Sequence, residues 1–198
     1  MQTSDFISRY NEIFSEIEAW EQIKKLELTL IKLIKTLNSE YEIKNNIAIH
    51  KTATVHQSAI IKSPAIIGEN TFIGNGCLLR NGVFIGNNAV IGSGCEIKTS
   101  IIFDNSSIAH FNFIGDSIIG NNVNLEAGSI TANHYNEREN KTIFVKFREK
   151  IINTEITKFG ALVGDNSKIG ANAVLSPGTI LEKGSIVKRL ELVEQIKN

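Results

Sequence analysis

Ile67-Gly68-Glu69-Asn70-Thr71-Phe72 and Ile73-Gly74-Asn75-Gly76-Cys77-Leu78 repeat one six-residue pattern, which returns as Ile85-Gly86-Asn87-Asn88-Ala89-Val90 and Ile91-Gly92-Ser93-Gly94-Cys95-Glu96. An aliphatic residue opens each unit, and a small or β-branched residue fills its fifth position. Outward from this stretch, the first slot runs from Ile49 through Val55, Ile61, Ile67, Ile73, Leu79, Ile85, Ile91, Ile97, Phe103 and Ala109. The fifth holds Ala53, Ala59, Ala65, Thr71, Cys77, Val83, Ala89, Cys95, Ile101 and Ser107. Six is neither the 3.6 of a helix nor the 2 of a half-buried strand, so it is a repeat period. It predicts a mainly β fold, a parallel β-helix in which each coil buries its apolar slots against its neighbours. The pattern resumes with intervals of five at Ile114 and Ile119, then at Leu125 and Thr131, and again at Val163, Ile169, Leu175, Leu181 and Val187.

Three segments depart from the repeat. Residues 1–45 hold no Gly or Pro, and Phe6, Tyr10, Ile13, Ile17, Trp20, Leu26, Leu30, Leu33, Ile34 and Leu37 fall at helical spacing. They predict one long or two shorter amphipathic helices, expected to cap an end of the solenoid. Within the β-helical domain, residues 46–190, a polar and then strand-like insertion occupies 134–160, where loops on a repeat scaffold tend to gather function. Residues 191–198 are expected to form a short C-terminal helix. Lys+Arg and Asp+Glu number 21 each, which gives no global attraction to nucleic acid or to a membrane. No long apolar run or export signal is present, so a cytoplasmic location is expected.

The motif [Ile/Leu/Val]-Gly-x-x-[small]-x resembles the hexapeptide-repeat acyltransferases. That resemblance implies a left-handed coil with three faces and eighteen residues per turn. Cys77 and Cys95 would then stack in the core, and they are expected to be reduced. The second slot is usually glycine; Lys62, Arg80 and Lys98, eighteen apart, are exceptions and would form one vertical column. Stacked like charges make a site for an anion, and Arg with Lys suits a phosphate; a merely solvated charged face is the alternative. His110, read into the second slot of another face, has Glu96 and Glu126 nearby by register counting. A carboxylate beside an imidazole raises its basicity, as a general base near neutral pH requires.

The run Glu96-Ile97-Lys98, Ile108-Ala109-His110-Phe111-Asn112-Phe113-Ile114-Gly115-Asp116 and Ala127-Gly128-Ser129-Ile130-Thr131-Ala132-Asn133 resembles the acetyltransferase domain of bifunctional sugar-1-phosphate nucleotidylyltransferase/acetyltransferases over about residues 46 to 187. The resemblance implies that Arg80 and Lys98 bind the sugar phosphate, with Lys62 as a further cation. It makes His110 the general base and Glu96 its supporting carboxylate. Asn124 and Phe113 become sugar contacts, Phe113 standing where the family has Tyr. Asn133, Ala127 and Ala171 become acetyl-coenzyme A contacts, Ala171 in place of a Ser, while Glu126 replaces a Gly. A homotrimer with shared sites is implied. The Gly-rich nucleotidylyltransferase signature is missing, so a separate nucleotidylyltransferase could be a partner.

The expected activity is acetyl transfer from acetyl-coenzyme A to the 2-amine of an amino-sugar 1-phosphate, without a metal. The alternative is a non-catalytic trimerisation scaffold that recruits a partner through the N-terminal helices. A metal-dependent γ-class carbonic anhydrase is disfavoured, because His50, His56, His110 and His134 lack ligand spacing.

Overall fold

The computed structural model describes residues 1–196 and forms a parallel β-helix with three ladders of inward aliphatic residues. On the first face Ile49, Ile67, Ile85, Ile102, Ile119, Val163 and Leu181 stack in register. On the second the ladder is Val55, Ile73, Ile91, Ile108, Leu125, Ile169 and Val187. The third holds Ile61, Leu79, Ile97, Ile114, Thr131, Leu175 and Val193. Together these form one continuous core that no single coil could bury alone. Cys77 and Cys95 are free and buried within it.

Register shifts from eighteen to seventeen residues between coils at Ile85↔Ile102. The intervals of five therefore fall at Ile97–Ile102 and Ile114–Ile119, where the corner after the third face is tightened at Thr99 and Asp116, each with φ of 46°. Ile102 and Ile108 occupy the slots read above as Phe103 and Ala109. Phe103 turns outward, against Tyr10 and Phe14.

The helices of the N-terminal segment do not cap an end; only its last strand, Tyr41–Lys44, covers the first coil, antiparallel to Ile47–His50. The segment contains α1 (Tyr10–Ile13) and α2 (Ala19–Ile34), and α2 buries Trp20, Ile23, Leu26, Leu30 and Ile34 at helical spacing. These meet the outward row of the first face, Ile66, Phe84, Ile101, Ile118, Leu162 and Ile180, in a second core. The reason is in that row: the face is aliphatic on both sides, so its outer side must be covered too.

The insertion completes the cover. It carries an antiparallel hairpin, Phe144–Phe147 with Lys150–Asn153, and it buries Tyr135, Ile143, Val145 and Phe159 in the same second core. The expected C-terminal helix is not formed over the described residues: Leu192–Val193 is a strand paired with Val174–Leu175. Val187 to Val193 is simply one more interval of six. Residues 197–198 of that expected helix lie outside the described residues.

Candidate functional site

Two groups of candidate residues gather, at two different corners of the triangular coil. The first lies on the outer side of the third face. Arg80 and Lys98 are register partners, and Gly115 follows them; Lys62, one coil earlier, is exposed. The two inner cations are already paired. Arg80 reaches diagonally to Glu96, with Nε and Nη2 at 2.8 and 2.6 Å from Oε1. Lys98 Nζ lies 2.6 Å from Asp116 Oδ2.

Glu96 is thus committed to Arg80 and does not support His110. The reason is geometric: Glu96 begins the third-face strand opposite Leu78 and Phe113, so the longer Arg80 side chain meets it on the same surface. Phe113 folds over Gly115, where an added Cβ would come within 2.7 Å of the ring and 3.0 Å of Asn133 Nδ2. Only glycine leaves room for that contact. Asn133 is buried, donates its amide to Asp116 Oδ2 and sits with Oδ1 3.2 Å from His134 Nδ1.

The second group lies at the corner between the second and third faces. One residue past the second-face ladder, the glycine slot of Gly92 passes to Ala109, Glu126 and Gly170. His110 is therefore not in the glycine slot but one residue further on, a consequence of the shift to seventeen. Its column continues through Ala127 and Ala171 to Arg189. Backbone bonds mark that register: Gly128 N–H donates to His110 O, Asn172 N–H to Ala127 O and Leu190 N–H to Ala171 O. His110 is exposed, and among the described residues its ring has no hydrogen-bond partner. Spacing in the sequence thus brings the candidate base and two of the three candidate coenzyme contacts, Ala127 and Ala171, into one line about 4.8 Å per step, while the third, Asn133, lies in the first group.

Glu126 is not beside the imidazole as a free carboxylate. Its Oε2 accepts from Ala171 N–H at 2.9 Å, and Arg189 grips both oxygens at 2.7 and 2.8 Å. Arg189, and after it the Ala171 N–H, hold this carboxyl below its ordinary range. Asn124 projects outward from the second face, in register with Ser107 and Lys168. It lines an open groove with Glu126, Lys168, Lys188 and Arg189.

Sequence reasoning missed two features. Asp116, the hub of Lys98 and Asn133, had a signal: an acidic residue at a tightened corner directly after the cation column. Phe111, beside His110, is 73% exposed with φ of 56°, and its ring lies over Gly94. Leu190, three coils on in the same column, has φ of 61° and is 78% exposed. Both hold left-handed turn positions usually left to Gly or Asn.

Comparisons with known proteins fall on these same segments. Residues 160–188 match the hexapeptide repeat of succinyl-transferase, and residues 76–145 match the GMPPB C-terminal domain. The chain is built of hexapeptide repeats. The bifunctional protein GlmU of Methanococcus aeolicus is 45% identical over 74 residues, which is 37% of this chain and 17% of that relative. That of Wigglesworthia glossinidia brevipalpis is 38% identical over 78 residues, again 37% and 17%. The match therefore spans about a sixth of the length of these relatives. Among solved structures, LpxA, a UDP-N-acetylglucosamine acyltransferase from Bacteroides fragilis, aligns at a TM-score of 0.45 and 19% identity, covering 74% of this chain and 60% of its own. A point mutant of AntD, an N-acyltransferase from Bacillus cereus, aligns at 0.41 and 13%, covering 81% and 83%. Among the described residues, no helix is long and apolar enough to cross a membrane.

Proposed function

We propose that the chain is an acetyl-coenzyme A-dependent N-acetyltransferase acting on an amino-sugar 1-phosphate. The observation that carries this reading is the single column of His110, Ala127 and Ala171, beside a separate face bearing Arg80 and Lys98. The relatives named GlmU support the assignment of an acyl transfer, although the match reaches only part of their length. In the reaction His110 takes the proton from the sugar amine as nitrogen attacks the thioester carbonyl, a contribution of about 10² to 10⁴ in rate. The carbonyl oxygen becomes a tetrahedral oxyanion; as it re-forms the carbonyl the C–S bond breaks, and the proton held by His110 goes to the coenzyme A thiolate that leaves. Arg80 and Lys98 orient the phosphate and so present the amine.

The two groups sit on different corners of one protomer, so we place the complete site between copies in a homotrimer. The exposed Phe111 and Leu190, strained in the free protomer, support a covered corner. The amino sugar, glucosamine or galactosamine, and the acetyl group itself belong to this proposal, as does a cytoplasmic setting. Kinetics of two variants test it. His110→Ala should lower kcat about 10²-fold or more with KM little changed, since the base acts in the transition state. Arg80→Ala should raise the sugar-phosphate KM and leave that of acetyl-coenzyme A alone. Undiminished activity in both would remove the site from this surface.

A second reading, a non-catalytic trimerisation scaffold, is favoured by the internal pairing of Arg80 and Lys98. Against recruitment of a nucleotidylyltransferase through the helices stands the burial of their apolar stripe within the chain itself. Binding of glucosamine 1-phosphate by the isolated protein separates the two readings.

A further inference from the structure

We propose that Asp116 is a positioning residue that sets the Lys98 ammonium and the Asn133 amide of the candidate site through one carboxylate oxygen, an inference that rests on the proposed function above. Oδ2 accepts from Lys98 Nζ, at 2.6 Å, and from the Asn133 amide. The side chains of Asp116 and Lys98 are 7% and 12% exposed, so this is an interior contact and not a pair of surface charges. The carboxylate is itself fixed. Asp116 N–H donates to Lys98 O at 2.8 Å, and Asp116 O accepts from Gly160 N–H at 2.9 Å, where the insertion rejoins the coil. Its φ of 46° is a conformation that Asp adopts more readily than most residues.

Two consequences follow from the chemistry of the donors. A lysine ammonium is a mobile point charge on a flexible stem. Asp116 orders it before a ligand arrives and leaves its remaining protons for an anion, since Thr99 Oγ1 at 3.5 Å is too far to hold one firmly. An ionised carboxylate can only accept, so Asn133 must turn its NH₂ toward Asp116. The Asn133 carbonyl oxygen then faces away, on the His134 side, and keeps a lone pair to accept from the acyl donor. The acceptor-side cation and the donor-side amide therefore share one anchor.

Calorimetric binding of glucosamine 1-phosphate and, separately, of coenzyme A to the full chain tests the proposal. Asp116→Asn should weaken the sugar phosphate about tenfold and coenzyme A about threefold or more. Lys98→Met should weaken the sugar phosphate alone, and Asp116→Asn added to it should cost no further sugar-phosphate affinity, because the aspartate acts through that lysine. A merely structural role would lower the melting temperature and leave the Kd of the folded protein unchanged for both ligands. Equal or tighter binding by Asp116→Asn overturns the inference while the proposed function stands; tighter binding would make Asp116 a competitor of the phosphate. A wild-type protein that binds neither ligand overturns both. Should Asp116→Asn not fold, Asp116→Glu keeps the acceptor but moves it by one methylene, with the same losses expected and unchanged affinity again overturning the inference.

Discussion

Glu126 accepts from Ala171 N–H and from both arms of Arg189, and a carboxylate that holds three donors is a poor base. Its titration should show this. The sign follows from the depressed value: the folded form favours the ionised carboxylate, so its contribution is present above the ordinary 4.5 and is lost as pH falls through the lowered value. NMR titration should place its midpoint below 4.5, and Arg189→Ala should return it toward 4.5. A wild-type midpoint at or above the ordinary value would restore Glu126 as a candidate base. The thiol of Cys95 moves the other way, pushed up to about 11 by burial. Neither cysteine should react with a thiol reagent at about pH 8 until the protein unfolds, and then both should. At this scale the cation column was legible, because a charge stands out where glycine is the rule. Its partners were not: Arg80 meets Glu96 diagonally, and a register count of equal hexads cannot show a diagonal contact.

Elements were legible by their period and mislocated where two periods agree. Phe103 and Ala109 fit the apolar and small pattern as well as Ile102 and Ile108 do, so equal hexads run two faces past the first interval of five, which falls at Ile97–Ile102. That single residue moved His110 out of the glycine slot. The C-terminal segment reads as helix by composition, yet Val193 continues the interval of six, and coil stacking decides. The N-terminal helix is plain in its spacing, while its target lies in a row that the six-residue period does not single out. Ile66, Phe84, Ile101, Ile118, Leu162 and Ile180 alternate with the inward ladder along the first face. Phe84 packs edge-on to Phe14 at 5.3 Å, so Phe84→Ala should cost about 3–5 kcal/mol in denaturant unfolding. A loss under about 1 kcal/mol would mean that the helices are only loosely attached.

For the whole molecule, the covered first face leaves the second and third for assembly, and the corner between them carries Phe111 and Leu190. Light scattering should give about three times 21.9 kDa. Phe111→Gly removes a left-handed strain of about 1–2 kcal/mol from the protomer and also removes its exposed ring, so it should shift sedimentation toward the monomer. A wild-type monomer at all concentrations would sink the shared site. The central claim is chemical, and one measurement meets it directly: release of free coenzyme A from acetyl-coenzyme A by the purified chain, offered glucosamine 1-phosphate, galactosamine 1-phosphate or the unphosphorylated amino sugars. The account predicts turnover with an amino-sugar 1-phosphate, little with the sugars that lack phosphate, and loss of that turnover in His110→Ala. No release above the hydrolytic background with any acceptor, from protein shown to be folded and trimeric, would contradict it.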